Sequence, residues 1–190
     1  MNRYEKYWKE AYEQVAQFED VLGCKMDPDI ISAVTSLNVL GYQTDGSCQG
    51  HDEDGEVSLP YIDVDHRDQE LFNGIGSMLL KVPRILARPL GYWVGWLLTS
   101  KIDDAREQNR SALITIEGLL GQYYQEHPSP SYFTLLTAIA RGEFMSTRIS
   151  FIGSMNLECY EYSAQQKILE ECQAVMQHFS EWLYKKAIAQ

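Results

Sequence analysis

A chain of 190 residues, 45% of them hydrophobic, is long enough to bury a full core, which excludes a disordered tail and a small disulfide-stapled scaffold. Its formal charge of −11 repels phosphate backbones and argues against general nucleic-acid binding. The longest charge-free apolar run, Pro89 to Ser100, falls well short of the ~20 residues that cross a bilayer.

The N-terminal stretch MNRYEKYWKEAYEQ is charged and periodic, without the apolar core and cleavage site of a secretion signal, so we expect a cytoplasmic protein. Tyr4, Trp8, Ala11, Val15, Phe18 and Leu22 repeat at helical spacing and predict a first helix stopped by Gly23. Asp27-Pro28 reads as a capping acid followed by proline at the first helical position. The second helix would then bury Ile30, Val34 and Leu37 and end at Gly41. Tyr42 to Gly55 is polar, Gly-rich and aperiodic, a loop. Leu59 to Asp65 alternates as a strand, with Ile62 and Val64 inward and Tyr61, Asp63 and Asp65 on the other face.

Leu71 to Ser100 is apolar and interrupted by Gly and Pro; we expect one or two short helices there, as an insertion in a single domain. A long helix follows from about Asp103 to Tyr124, with Ala105, Ala112, Ile116, Leu119 and Tyr123 inward. Tyr132 to Ala140 and Phe144 to Ile152 read as a hairpin turning at Arg141-Gly142, and Leu157 to Tyr162 as a further short strand. Ser163 and Gln166 form a candidate capping box for a last helix that buries Ile168, Cys172, Val175, Phe179 and Leu183. The order predicts an α+β fold, a small and mainly antiparallel sheet covered by about four main helices.

Four cysteines (Cys24, Cys48, Cys159, Cys172) without a secretion signal read as thiols or metal ligands, not as a disulfide framework. The charge is uneven: Asp45 to Glu70 holds nine acids and one base, whereas Leu71 to Ser100 holds three bases and no acid. Reactive side chains gather in the acidic stretch. Cys48 and His51 stand three apart, a spacing that lets both approach one metal from a tight turn, which Gly46 and Gly50 would allow the backbone to make. With Asp63 as third ligand they would form an open zinc site, and Asp65 would be a general base for hydrolysis. A second reading makes Cys48 a thiol nucleophile activated by His51, which needs mutual contact and a third group to orient the imidazole. In the plainer reading the loop is structural, with Cys48 buried and the glycines there for the turn. Gly50 to Gly55 is not a calcium loop, since Gly50 stands at the first ligand position; Gly74-x-Gly76 lacks the third glycine of a dinucleotide fingerprint.

The run Gly41-Tyr42-Gln43-Thr44, Ser47-Cys48-Gln49-Gly50-His51 and Pro60-Tyr61-Ile62-Asp63-Val64 resembles a group of uncharacterised bacterial and phage proteins. They carry G-x-x-T-x-x-S-C-x-G-H followed by an aromatic-aliphatic-Asp strand. The likeness spans about Asp27 to Val64 and adds weight to Ser47, Cys48, His51 and Asp63 without naming a reaction. A more distant similarity is to the tRNA wybutosine-synthesis methyltransferase family, whose T-x-S-C-S-G-R element has arginine where this chain has His51. It is a hint about fold.

Two function classes stay open: a metal-dependent hydrolase built on Cys48, His51 and Asp63, and a non-catalytic module that binds a small ligand or a protein partner. The second would use Ser47 at the rim, Trp93 and Trp96 as anchors, and Arg84 and Arg88 toward an anionic group. The apolar excess at 71–100 also makes a homodimer an expectation.

Overall fold

The computed structural model describes residues 3–18, 25–66, 84–128, 134–141, 145–151 and 157–190, with the side chains of 84–98, 100, 140 and 141 outside that description. Among these residues four helices appear in chain order: α1 (Arg3–Gln17), α2 (Ile31–Val39), α3 (Arg84–Glu126) and α4 (Tyr162–Ile188). Six strands accompany them: β1 (Thr44–Cys48), β2 (His51–Glu53), β3 (Glu56–Ser58), β4 (Tyr61–Val64), β5 (Leu135–Arg141) and β6 (Ser146–Phe151). The main sheet has the order β1-β4-β6-β5, antiparallel throughout, and β2-β3 forms a separate two-stranded ribbon. This is the α+β architecture expected from the periodicities.

The sheet's inward face carries Ile62 and Val64 of β4, Ile149 and Phe151 of β6, and Leu135 of β5, all buried. They meet Ile30, Val34 and Leu37 of the α2 region, Ile116, Leu120 and Tyr123 of α3, and Cys172, Met176, Phe179 and Leu183 of α4 in one hydrophobic cluster. Each helix contributes residues three or four apart, the stripe that faces a core. The last helix buries Leu169 and Met176, while Ile168 and Val175 only pack against the cluster's edge.

Several local expectations fail for identifiable reasons. The first helix buries none of its residues: it docks through Trp8, whose indole N–H donates to Ser36 Oγ at 3.0 Å and whose ring meets Tyr184 edge-on at 4.7 Å. Tyr4 and Phe18, two members of the predicted stripe, are exposed. Asp27 does not cap α2. Residues 28–30 form a turn, the helix begins at Ile31, and Asp27 Oδ2 accepts the Gln49 N–H at 3.0 Å instead. The capping box at Ser163 is also absent; α4 starts after Glu161 without a side-chain cap, and Gln166 Nε2 donates to Asp52 Oδ2 at 2.8 Å.

Leu157–Cys159 is a single 3₁₀ turn, not a strand. The long helix starts at Arg84 and not near Asp103, and it runs through Pro89, which forgoes one backbone hydrogen bond. The expectations for Leu22, Gly23, Cys24, residues 67–83 and Gly142, and for the side chains of Arg84, Arg88, Trp93 and Trp96, lie outside the described residues.

Burial sets an alkaline limit on stability. Cys172 is fully enclosed, which pushes its thiol up to about 12, and burial likewise pushes the Tyr123 hydroxyl up to about 12. Both stay protonated in the fold, whereas in the unfolded chain the thiol ionises near 9 and the phenol near 10. The unfolded state therefore binds fewer protons above about pH 9, and stability falls there by up to ~1.4 kcal/mol per pH unit for each group. A Tm series should decline above pH 9, and Cys172→Ala should delay the decline toward pH 10.

Candidate functional site

The residues of the Cys-x-x-His stretch are not a loop. Thr44–Cys48 pairs with β4 in the register Ser47↔Ile62 and Cys48↔Tyr61, as the outer strand of the main sheet. Alternation then places Cys48 with Tyr61 on one face and Ser47 with Ile62 on the other. Immediately after it, His51–Glu53 pairs with Glu56–Ser58 around a two-residue turn at Asp54-Gly55, both with positive φ (54° and 83°), the Asp-Gly hairpin geometry. The register puts His51 opposite Ser58.

Gly50 joins β1 to this hairpin with φ of 78°. A Cβ there would come within 2.7 Å of Leu169 Cδ1, 2.8 Å of Pro60 Cδ and 2.9 Å of the Pro60 nitrogen, so no side chain fits. The tight turn folds Cys48 and His51 onto each other: Cys48 Sγ lies 3.4 Å from His51 Nδ1, and the Gly50 N–H points at the same sulfur at 3.2 Å. Ser58 Oγ accepts the His51 backbone N–H at 3.3 Å and stands 3.1 Å from His51 Nδ1. Cys48 is 9% exposed and outside the main core cluster, while His51 faces solvent.

The helix α4 braces this arrangement. Gln173 Nε2 donates to the carbonyls of Gln49 and Gly50 at 3.3 and 3.1 Å. Asp52 accepts hydrogen bonds from Tyr162 and Gln166, which hold its carboxyl below the usual range.

The two predicted carboxylates are placed elsewhere. Asp63 faces Arg148 across the β4–β6 pairing, and both its oxygens accept from the guanidinium, Nε to Oδ1 at 2.7 Å and a terminal nitrogen to Oδ2 at 2.8 Å. Arg148 also lies over the Tyr61 ring, 3.9 Å from its centre. Burial raises the Tyr61 hydroxyl's pKa, with the guanidinium pulling the other way. Asp65 follows the end of β4 and is buried against α3, where its Oδ1 accepts from Asn109 Nδ2 at 3.0 Å. Asn109 Oδ1 in turn accepts the His66 N–H at 2.7 Å. The His66 ring is half-buried, and desolvation lowers its pKa against the opposing pull of Asp65.

Cys48 and His51 are thus brought together, and Asp63 is held in a bidentate ion pair. Among the described residues no three His, Cys, Asp or Glu side chains converge as a metal site. Ser47 lines a separate cleft of about 590 Å³ between α1, α2 and β1, with Phe18, Lys25, Asn38, Asp45 and Tyr61 among its walls.

Ser58, Arg148 and Asn109 are the residues that sequence reasoning missed. Ser58 had a usable signal: a two-residue Asp54-Gly55 turn forces His51 opposite Ser58 by counting outward. Arg148 and Asn109 had none, lying 85 and 44 positions from the carboxylates they hold. No family model, no curated protein and no solved structure matches this chain.

Proposed function

We propose that the protein is an enzyme in which Cys48 is a nucleophile, His51 its general base and Ser58 the group that fixes the imidazole, acting on acyl groups of small molecules. The observation that carries this reading is the 3.4 Å contact between Cys48 Sγ and His51 Nδ1. A thiol is a weak nucleophile until its proton leaves, and an imidazole in contact with it provides the acceptor. The Gly50 N–H lies beside the same sulfur, and Ser58 Oγ, 3.1 Å from the same Nδ1, limits how the ring can turn.

In the step proposed, Nδ1 takes the thiol proton as sulfur bonds to the acyl carbon. The carbon–leaving-group bond breaks and the leaving group receives that proton. Water then cleaves the thioester, with His51 as base again. Metal-dependent hydrolysis through a Cys48, His51 and Asp63 ligand set is the weaker reading, because it requires Asp63 to leave Arg148. Acetylation by p-nitrophenyl acetate tests the proposal: p-nitrophenolate is released while an acetyl group appears on Cys48. Cys48→Ala should remove the acetyl group at position 48 and most of the p-nitrophenolate release, and His51→Ala should slow acetylation of Cys48 by about a hundredfold.

A second reading is favoured by the cleft beside β1. Its volume of about 590 Å³ lies in the range of small-molecule sites, and its walls mix apolar Val15, Phe18 and Val34 with polar Asn38, Thr44 and Ser47. That reading is of a binding module, which predicts saturable ligand binding with no covalent chemistry at Cys48.

A further inference from the structure

Away from this site, the C-terminal end of α3 and the middle of α4 bring two histidines together. His127 follows the last residue of α3, one turn beyond Tyr123, and His178 lies on the facing helix. Their ring centres are 4.5 Å apart with planes inclined at 71°. Tyr123 is buried between them and the core, 5.2 Å from the His127 ring and 5.8 Å from the His178 ring. Its hydroxyl lies 2.9 Å from His178 Nδ1.

We infer that His127 and His178 form a two-imidazole site for a divalent transition-metal ion that bridges α3 and α4. The separation carries the inference. Two imidazoles bound to one ion through bonds of about 2.0–2.1 Å hold their ring centres about 4.5 Å apart when the bonds meet at a right angle, and about 5.2 Å apart at the tetrahedral angle. The observed 4.5 Å lies at the right-angle end of this range, an angle found in tetragonal and octahedral sites. With Nδ1–H donating to the Tyr123 oxygen, His178 keeps its lone pair on Nε2, and Tyr123 serves as the outer partner that orients a ligating histidine. Glu126 adds negative charge close to His127 while its oxygens accept from Trp182 and Lys186, and water completes the coordination.

The test is Ni²⁺ binding to the untagged, reduced protein by equilibrium dialysis, with the visible spectrum of the bound ion recorded. Nickel is chosen because copper oxidises thiols. One ion per chain is expected, bound at least tenfold more weakly by His127→Ala and by His178→Ala. Tyr123→Phe, which keeps both ligands, should weaken binding severalfold. The double variant Cys48→Ala/His51→Ala, which empties the other imidazole–thiol pair, should bind as the wild type does. Circular dichroism of each variant confirms that the helices persist. Binding that survives both His127→Ala and His178→Ala, or that vanishes in the double variant, would overturn the proposal. So would a rings-only aromatic cluster that takes up no nickel at submillimolar concentration.

Discussion

Gly50→Ala is expected to destabilise the protein by about 3 kcal/mol, whereas Gly55→Ala costs about 1 kcal/mol. Both glycines sit at positive φ, 78° and 83°, so both substitutions incur the strain of placing an L-residue in the left-handed region. Only Gly50 adds a collision. Its Cβ would lie within 3 Å of Leu169 and of the Pro60 ring and nitrogen, and backbone cannot rotate away as a side chain can, whereas nothing lies within 4 Å of a Cβ at Gly55. The difference between the two variants therefore isolates packing from backbone strain. For a chain of this size the costs correspond to Tm losses of roughly 6–12 °C and 2–4 °C. Gly50→Ala should also pull His51 away from Cys48, because the turn that holds them together is the one displaced. Equal Tm losses in the two variants would mean that the turn is looser than its contacts imply.

Arg148→Ala is the second large effect, about 2–3 kcal/mol. The Asp63 side chain is 11% exposed, and removing the guanidinium strands its carboxylate in the sheet. The figure sits below the usual range for a fully buried pair, because the Arg148 side chain is 38% exposed and water can reach the gap. The loss of the guanidinium's contact with the Tyr61 ring adds to it. Arg148→Lys keeps the charge but not the two parallel bonds, and should cost less than half as much. Adding Asp63→Asn to Arg148→Ala should recover part of the loss by removing the stranded charge, a coupling that denaturant unfolding of the four variants measures.

What the sequence made legible follows the range of the forces involved. The stripes of α2 and α3 and the alternation of β4 were readable because one buried face imposes a period: Ile30, Val34 and Leu37, and Ile62 and Val64, all lie in the core. The strand Thr44–Cys48 escaped because Thr-Asp-Gly-Ser-Cys is polar, and an edge strand needs no apolar alternation to be held by its neighbour's hydrogen bonds. Asp27 and Gln166 carried local capping signals, yet both are used by the Cys48–His51 turn and its hairpin, where tertiary partners outcompeted the local ones. At the site itself, the three-residue spacing of Cys48 and His51 was legible as proximity. The partners of Asp63 and Asp65 were not, since Arg148 and Asn109 reach them only once the sheet and α3 have assembled.

The acetylation rate of each cysteine, resolved by peptide mass spectrometry at pH 7, tests the nucleophile most directly. Cys159 is exposed, Cys172 is sealed in the core, and Cys48 is nearly covered. Access alone ranks Cys159 first by a wide margin. Cys48 is expected to be acetylated at least tenfold faster than Cys159 in the wild type, and His51→Ala to restore the order set by exposure. A wild-type protein in which Cys159 reacts first, and in which His51→Ala changes nothing, would contradict it.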